Sequence, residues 1–469
     1  MTKATFGVIV STRGFFPASL AREGRRQVLE KLKKQGYEAV LLPESATPNG
    51  AVETLADAEK CARLFRENAD GIDGVVVVLP NFGDELGVAE TLSRAKLGVP
   101  VLVQACDDVM ARMDMAHRRD SFCGKLSVCN NLRQRGIPFT NTRLHTCAID
   151  SREFTEDLAR FAAICRVARG LSRARLGMIG QRPDPFNTVR YSEKLLERAG
   201  IHVSAVDMSE IIAAAVAMPD GAAVNAKITE ITNYGPIAKG TPRAVLVKQA
   251  KLILTVERWL NENRCDASAI QCWSSIQQNY GCASCLGMSM MGEQGKPSAC
   301  EVDVMGALSM LALRLAGGGV PGYLDWNNNF DDDRDRCVCI HCSNYPKSFI
   351  GKIREIGSLD ILGASLGKEK CFGAVKGAVK AGPMTFAKIS TDDEHGRIRM
   401  YVGEGEFTKD IVDTAGGVAV CRVKGLQKLL DHLCRNGFEH HVAMVRGRVA
   451  GVLAEACGTY FGWDVHVHG

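Results

Sequence analysis

Gly74-Val-Val-Val-Val-Leu79, flanked by Phe6-Gly-Val-Ile-Val10 before it and Val99-Pro-Val-Leu-Val-Gln-Ala105 after it, decides the reading of the first third of the chain. These runs, with Glu38 to Leu42 between the first two, are short and β-branched, and they alternate with helix-length amphipathic segments. Runs that are apolar at every position, rather than at every second one, belong to parallel strands covered on both faces. The spacing therefore predicts a doubly wound, Rossmann-like or flavodoxin-like layer over residues 1–172. No Gly-x-Gly-x-x-Gly follows the first strand. Ser11-Thr12-Arg13-Gly14-Phe15-Phe16 stands there instead, which disfavours a dinucleotide site. The C-terminal strand ends of such a sheet are the expected ligand side, which singles out Thr12, Arg13, Asn81, Gln104 and Asp107.

Working outward, a second βαβ series opens at Arg175-Leu-Gly-Met-Ile-Gly180 and continues through the strand-like His202 to Val206, the amphipathic segment 243–263 and the strand-like Ala267 to Trp273. The helix-like 301–316 and strand-like runs at Gly322 to Trp326 and Arg336 to Cys342 follow, giving a second α/β domain over 173–355. Beyond that the chain turns to short Gly-rich runs (Phe372 to Val379, Thr385 to Ile389, Arg397 to Val402, Val418 to Val423), spaced like an antiparallel unit. A smaller, mostly β, barrel-like domain is expected over 356–469.

Composition sets the limits on function. The chain has 469 residues, 46% of them hydrophobic, enough for two or three cores. Lys and Arg number 58 against 53 Asp and Glu, so the concentrated basic footprint of a nucleic-acid binder is absent. No apolar run reaches the roughly 18 residues a membrane span needs, and the opening residues run straight into a strand pattern, so a cytoplasmic protein is expected. Eighteen cysteines without a secretory leader read as reduced thiols.

The densest chemistry lies between Cys300 and His341. Glu301 reads as the opening of a helix, where the dipole favours a carboxylate, while Asp325 and His341 fall at or near the ends of consecutive strands. Each residue also has a plain structural reading: a first-turn acid, a cap for the loop Trp326 to Asn329, and a core histidine. His440-His441 precede the strand-like Val442 to Val445, and alternation allows only one of them to face a given site. Cys282-x-x-Cys285 with Cys337-x-Cys339-x-x-Cys342 suggests a structural zinc or iron–sulfur site as a minor alternative. The run Asp331 to Asp335 reads as a solvated loop.

Gln271-Cys-Trp273, Tyr280-Gly-Cys, Cys300-Glu-Val-Asp-Val-Met-Gly-Ala-Leu and Pro321-Gly-Tyr-Leu-Asp325, in this order and spacing, resemble the metal-binding centre of the L-fucose and L-arabinose isomerase family. Ile179-Gly-Gln-Arg-Pro183, Gly403-Glu-Gly-Glu406 and His440-His441 extend the likeness along the chain. The resemblance implies that Glu301 and Asp325 bind a divalent metal and serve as the acid/base pair, with His441 as a further ligand. His341 matches the extra histidine of the arabinose-isomerase branch. It implies an aldose–ketose isomerase working through a cis-enediol(ate) on an open-chain sugar. Carboxylates with imidazoles suit Mn2+, with Co2+ or Mg2+ as substitutes. It further implies a homo-oligomer, trimeric or hexameric, whose active site lies at a subunit interface with Arg13, Phe15, Gln104 and Asp120 contacting substrate. Arg182, Trp273, His440 and Asn327 are additional expected contacts. A 6-deoxyhexose, a pentose and a 6-substituted, sulfonated hexose all remain open as substrates. A metal-dependent aldolase or epimerase, or a non-catalytic sugar binder, are the alternatives.

Overall fold

The computed structural model describes residues 3–342 and 344–469. The chain divides into two compact units, Met1–Arg169 with Glu455–Gly462, and Gly170–Ala454 with Trp463–Gly469. In the first, strands β1 (Thr5–Val10), β2 (Glu38–Val40), β3 (Gly74–Leu79), β4 (Val101–Ala105) and β5 (Thr140–Asn141) form a parallel sheet in the order β2-β1-β3-β4-β5. This is the flavodoxin-like doubly wound order. The alternation of side chains across β3 explains why the whole run is apolar. Val75, Val77 and Leu79 pack under the helices Leu55–Glu67, Glu85–Ala95 and Ser121–Gln134. Val76 and Val78 pack on the opposite face under Ala18–Gln35 and Arg152–Leu171. The late segment Glu455–Gly462 completes this unit, where the Tyr460 hydroxyl meets Thr140 Oγ1 at 2.8 Å and donates to the Val101 carbonyl.

The second unit contains two sheets. Strands β6 (Arg175–Ile179), β7 (His202–Val206), β8 (Ala267–Ile270) and β9 (Ser298–Ala299) are parallel in the order β7-β6-β8-β9. Nine further strands form one large, mostly antiparallel sheet: β10 (Gly322–Phe330), β11 (Asp333–His341), β12 (Glu355–Ser358), β13 (Phe372–Ala378), β14 (Gly382–Asp392), β15 (Arg397–Phe407), β16 (Gly417–Arg422), β17 (His441–Arg446) and β18 (Asp464–His468). An additional β15–β16 pairing, Glu406 with Arg422 and Phe407 with Cys421, closes β16-β11-β10-β17-β14-β15 into a barrel.

The sequence groups β10 and β11 with the second parallel series, but they belong to this antiparallel sheet. The reason is local: only Asp331 and Asp332 separate the two strands, and a two-residue connection can join only antiparallel neighbours. The acidic run is thus a hairpin turn and the start of β11, with Asp331 at φ 45. Among the described residues no single helix is long and apolar enough to cross a membrane.

Candidate metal centre and active site

Four chain segments bring their functional groups to one end of the barrel. Asp325 on β10 is directly cross-strand from His441, the first residue of β17, and from Ile340 on β11, so that His341 is the next residue along. β10 lies between its two partners, and this pairing brings His441, more than a hundred residues on, to the Asp325 and His341 that the sequence already placed at the ends of consecutive strands. Glu301 arrives from the parallel sheet, just past the end of β9.

Glu301 does not open a helix. The helix Val304–Leu315 begins three residues later, capped by Asp303, whose Oδ1 accepts the Gly306 amide at 2.7 Å. Glu301 and Val302 both occupy the left-handed region, at φ 54 and 58. For a β-branched valine this is a genuine outlier, and strain of about 1–3 kcal/mol per residue persists where the surroundings over-determine it, typically at functional sites. The Asp303 amide reaching back to the Cys300 carbonyl at 2.9 Å fixes the turn.

The two oxygens of Glu301 have different surroundings. Oε1 accepts from the Trp273 indole at 2.9 Å and from the Cys272 thiol at 3.3 Å. Oε2 is buried without a hydrogen-bond partner, as is Asp325 Oδ1. Around these two orphaned oxygens stand two imidazole nitrogens. His341 Nε2 lies 3.6 Å from Glu301 Oε2 and 4.0 Å from Asp325 Oδ1, and His441 Nε2 lies 3.7 and 3.6 Å from the same atoms. Donors bound to one ion at about 2.0–2.3 Å sit roughly 3–4.5 Å apart, so this spacing fits a shared cation. Asp325, His341 and His441 have their donor atoms within 4.8 Å of one another, and Glu301 Oε2 stands beside both imidazoles. A buried carboxylate oxygen left unpaired is costly, and a cation held by these three, with Glu301 closing on it, would satisfy both.

Asp303 has a second task that no sequence pattern announced. Its Oδ2 accepts from His441 Nδ1 at 3.0 Å, from Lys388 Nζ and from the Tyr323 hydroxyl. Burial alone would raise the Asp303 carboxyl, but Lys388 and His441 outweigh it and hold the group well below the usual carboxylate range. A carboxylate on Nδ1 fixes the tautomer that presents a lone pair at Nε2, the arrangement that orients metal-binding histidines. Two features of the sequence could have found it: the Asp303-x-x-Gly306 cap spacing, and the lone lysine within the apolar run Thr385 to Ile389.

Gly306 is part of the same arrangement, because a Cβ there would lie 2.1 Å from the buried Tyr323 hydroxyl. Gly306→Ala is expected to displace Tyr323 from Asp303 and lower stability by about 1–3 kcal/mol, read as a fall in Tm. An unchanged Tm would contradict the packing described.

The cluster opens onto a cavity of about 800 Å3, lined also by Phe186, Trp273, Asn327, Lys376 and His440. Phe186 meets Trp273 edge-on at 5.1 Å and His440 at 5.8 Å. Burial, with the neighbouring His441, lowers the His440 pKa below its ordinary value. Asn327 also accepts the Ile340 amide, at a bulge in β10. Arg182 lines a different cavity, of about 690 Å3, with Arg190 and Arg399, and donates to the Pro183 and Asp184 carbonyls. Four predicted contacts belong to the first unit. There Arg13 pairs with Glu85 and covers the Phe82 ring, Phe15 is 75% exposed, Gln104 is buried with Nε2 on the Cys147 carbonyl, and Asp120 pairs with Arg118.

All eighteen cysteines are free. The two cysteine motifs do not converge as one group. Cys285 and Cys342 join Cys272 and Cys300 beside Glu301, whereas Cys337, Cys339 and Cys421 cluster separately.

Comparison with known proteins agrees with this architecture. Residues 7–172 match the family model of the fucose/sulfoquinovose isomerase N-terminal domain, and residues 339–468 match that of the L-fucose isomerase C-terminal domain. The chain is similar to a sulfoquinovose isomerase of Priestia aryabhattai, 26% identical over 452 residues covering 94% of each chain. A sulfoquinovose isomerase of Alkalicoccus urumqiensis is 22% identical over 435 residues, covering 91% of this chain and 93% of its own. With both terminal domains matched and full-length relatives at its side, the chain belongs to the L-fucose isomerase-like family, whose members are aldose–ketose isomerases.

Proposed function

We propose that this sugar isomerase is a metal-dependent enzyme whose substrate is a sulfonated hexose, sulfoquinovose, converted to the corresponding 2-ketose. The observation that carries the metal dependence is the pair of buried, unpartnered oxygens, Glu301 Oε2 and Asp325 Oδ1, facing His341 Nε2 and His441 Nε2. Two oxygens and two imidazoles without a thiolate favour Mn2+, with Co2+ or Mg2+ able to substitute. When bound, such an ion would polarise the oxygens at C1 and C2 and stabilise the negative charge that develops on them.

The chain's own groups move the protons. Glu301, held in place through Oε1 by Trp273, takes the proton from C2 and delivers it to C1, while Asp325 relays the hydroxyl proton from O2 to O1. The reaction is balanced within the sugar: one hydrogen moves from C2 to C1 and one from O2 to O1. Trp273 and Phe186 wall the cavity beside Glu301, giving the open-chain sugar an apolar face to lie against.

The names of the relatives support the sulfonated substrate, and Lys376 offers a cation in the same cavity. Asp360 holds this lysine at 2.8 Å, with Glu355 at 3.5 Å. Lys376→Met is expected to raise KM for sulfoquinovose about tenfold while leaving KM for an uncharged aldose such as L-fucose nearly unchanged. Equal effects on both sugars would remove Lys376 from anion recognition. We also propose a homo-oligomer, trimeric or hexameric, in which Arg13, Phe15 and Asp120 act at an interface, while Gln104, expected there too, is buried within its own unit and holds the Cys147 carbonyl instead; a monomer by sedimentation would count against it. The function itself is tested by incubating metal-stripped protein, with and without Mn2+, with sulfoquinovose, L-fucose, L-arabinose and D-arabinose. Metal-dependent ketose formation, fastest from sulfoquinovose, is expected. Triose products would favour an aldolase, and no turnover of any sugar would favour a binding protein.

A further inference from the structure

On the far side of His341 lies a second donor group of different chemistry. Cys300 Sγ, Cys342 Sγ, a Glu301 oxygen and a His341 nitrogen all lie within 4.8 Å of one another. Cys300 is fully buried, Glu301 and His341 nearly so, and Cys342 lines the cavity, which gives an ion a way in. The His341 ring stands between the two groups. Nδ1 is 3.5 Å from Cys342 Sγ, while Nε2 faces Glu301 and Asp325. Cys272 stands on the same side, its thiol donating to Glu301 Oε1 at 3.3 Å and accepting the Glu301 amide at 3.4 Å. The cluster is therefore sulfur-rich on one side and carboxylate-rich on the other.

Two thiols, an imidazole and a carboxylate make a set suited to Zn2+ or Cd2+, and thiolates select such ions against Mn2+ or Mg2+. A tetrahedral ion with bonds of about 2.0–2.3 Å needs its donors roughly 3.3–3.8 Å apart, a contraction of at most about 1.0–1.5 Å from the 4.8 Å within which this group lies. We propose that the chain carries a second, soft-metal site formed by Cys300, Cys342, His341 and Glu301, and that filling it excludes the hard cation from the neighbouring site. The exclusion follows from shared parts: His341 stands in both groups and Glu301, a member of the thiol group, also faces the two imidazoles through Oε2, so that two dications would share one imidazole and one carboxylate and repel each other across them. The competition rests on the proposed Mn2+ site, whereas the soft site stands on its own donors. A sugar isomerase built this way would be switched off by soft dications rather than supported by them.

The test uses the full-length, metal-stripped chain with the exposed Cys123 and Cys434 replaced by serine, and Cd2+ as the probe. One equivalent of Cd2+ is expected to produce the ultraviolet thiolate-to-cadmium charge-transfer band. Cys300→Ser and Cys342→Ser should each abolish it, while Asp325→Asn and Cys272→Ser should leave it. In Mn2+-loaded protein, the same equivalent of Cd2+ should release Mn2+, seen as the six-line resonance of the aqueous ion, and should fail to do so in Cys342→Ser. Melting curves identify any variant that is unfolded, and Cys300→Ser and Cys342→Ser serve as independent checks on each other. Absence of the band, or its persistence in both serine variants, overturns the site. A band without Mn2+ release overturns the exclusion. A band that survives Asp325→Asn, in a protein that never isomerises a sugar, would retain the soft site while the isomerase reading failed.

Discussion

Glu301→Gln is expected to lower isomerase turnover by roughly 10^3 to 10^4-fold with little change in Tm. The amide keeps an oxygen to accept from Trp273 Nε1, so the side chain stays in place. What it loses is the charge and basicity of the buried, unpartnered Oε2. General acid–base catalysis contributes about 10^2 to 10^4, and loss of a metal ligand adds to that, together about 4–5 kcal/mol of barrier. Turnover within tenfold of the parent protein would exclude Glu301 as the base. A matching fall in Tm would instead mean that the variant had lost its fold.

The second large effect is expected at Asp303. Asp303→Asn leaves the buried Lys388 without its counter-charge and His441 without a carboxylate on Nδ1. Breaking one side of a buried pair costs about 3–5 kcal/mol, roughly 5–10 °C in Tm for a unit of this size. Weaker orientation of His441 is expected to reduce Mn2+ affinity about 10 to 100-fold. Asp303→Asn with Lys388→Met separates the two roles, since removing both charges should restore much of the stability and none of the metal affinity. Recovery of both together would reduce Asp303 to a structural charge. The pH dependence has a defined sign. The folded pKa of Asp303 is depressed, so its contribution is complete above the unfolded value of about 3.9 and is lost as pH falls through that range. The Tm gap between parent and Asp303→Asn should therefore narrow on acidification below about pH 4.

The parallel layers were legible because their strands carry a pattern that only burial on both faces allows: Val75 to Leu79 have no exposed member. The antiparallel sheet was legible in its later strands but not at β10 and β11, where two acidic residues disguised a hairpin as a loop. Glu301, Asp325, His341 and His441 were singled out through motif order and a family resemblance, and the cross-strand register that sets Asp325 against His441 is not encoded by any local pattern. Asp303 was passed over because an acid two residues after Glu301 looks like one more exposed first-turn charge. The Asp303-x-x-Gly306 cap spacing, and Lys388, buried in the middle of an apolar strand and in need of a partner, mark it as something else. The cysteines were grouped differently in the minor metal-site alternative, for a similar reason. Sequence spacing groups Cys337 with Cys342, but the strand directs them to separate clusters and brings Cys342 to Cys300.

Proton transfer at carbon, followed by NMR in deuterated water, tests the metal-dependent isomerase reading most directly. Metal-stripped protein with sulfoquinovose should give no ketose and no exchange, and added Mn2+ should produce ketose carrying solvent deuterium at C1. Ketose formed at the same rate without any divalent ion, or by Glu301→Gln as fast as by the parent protein, would contradict the proposed roles of Glu301, Asp325, His341 and His441.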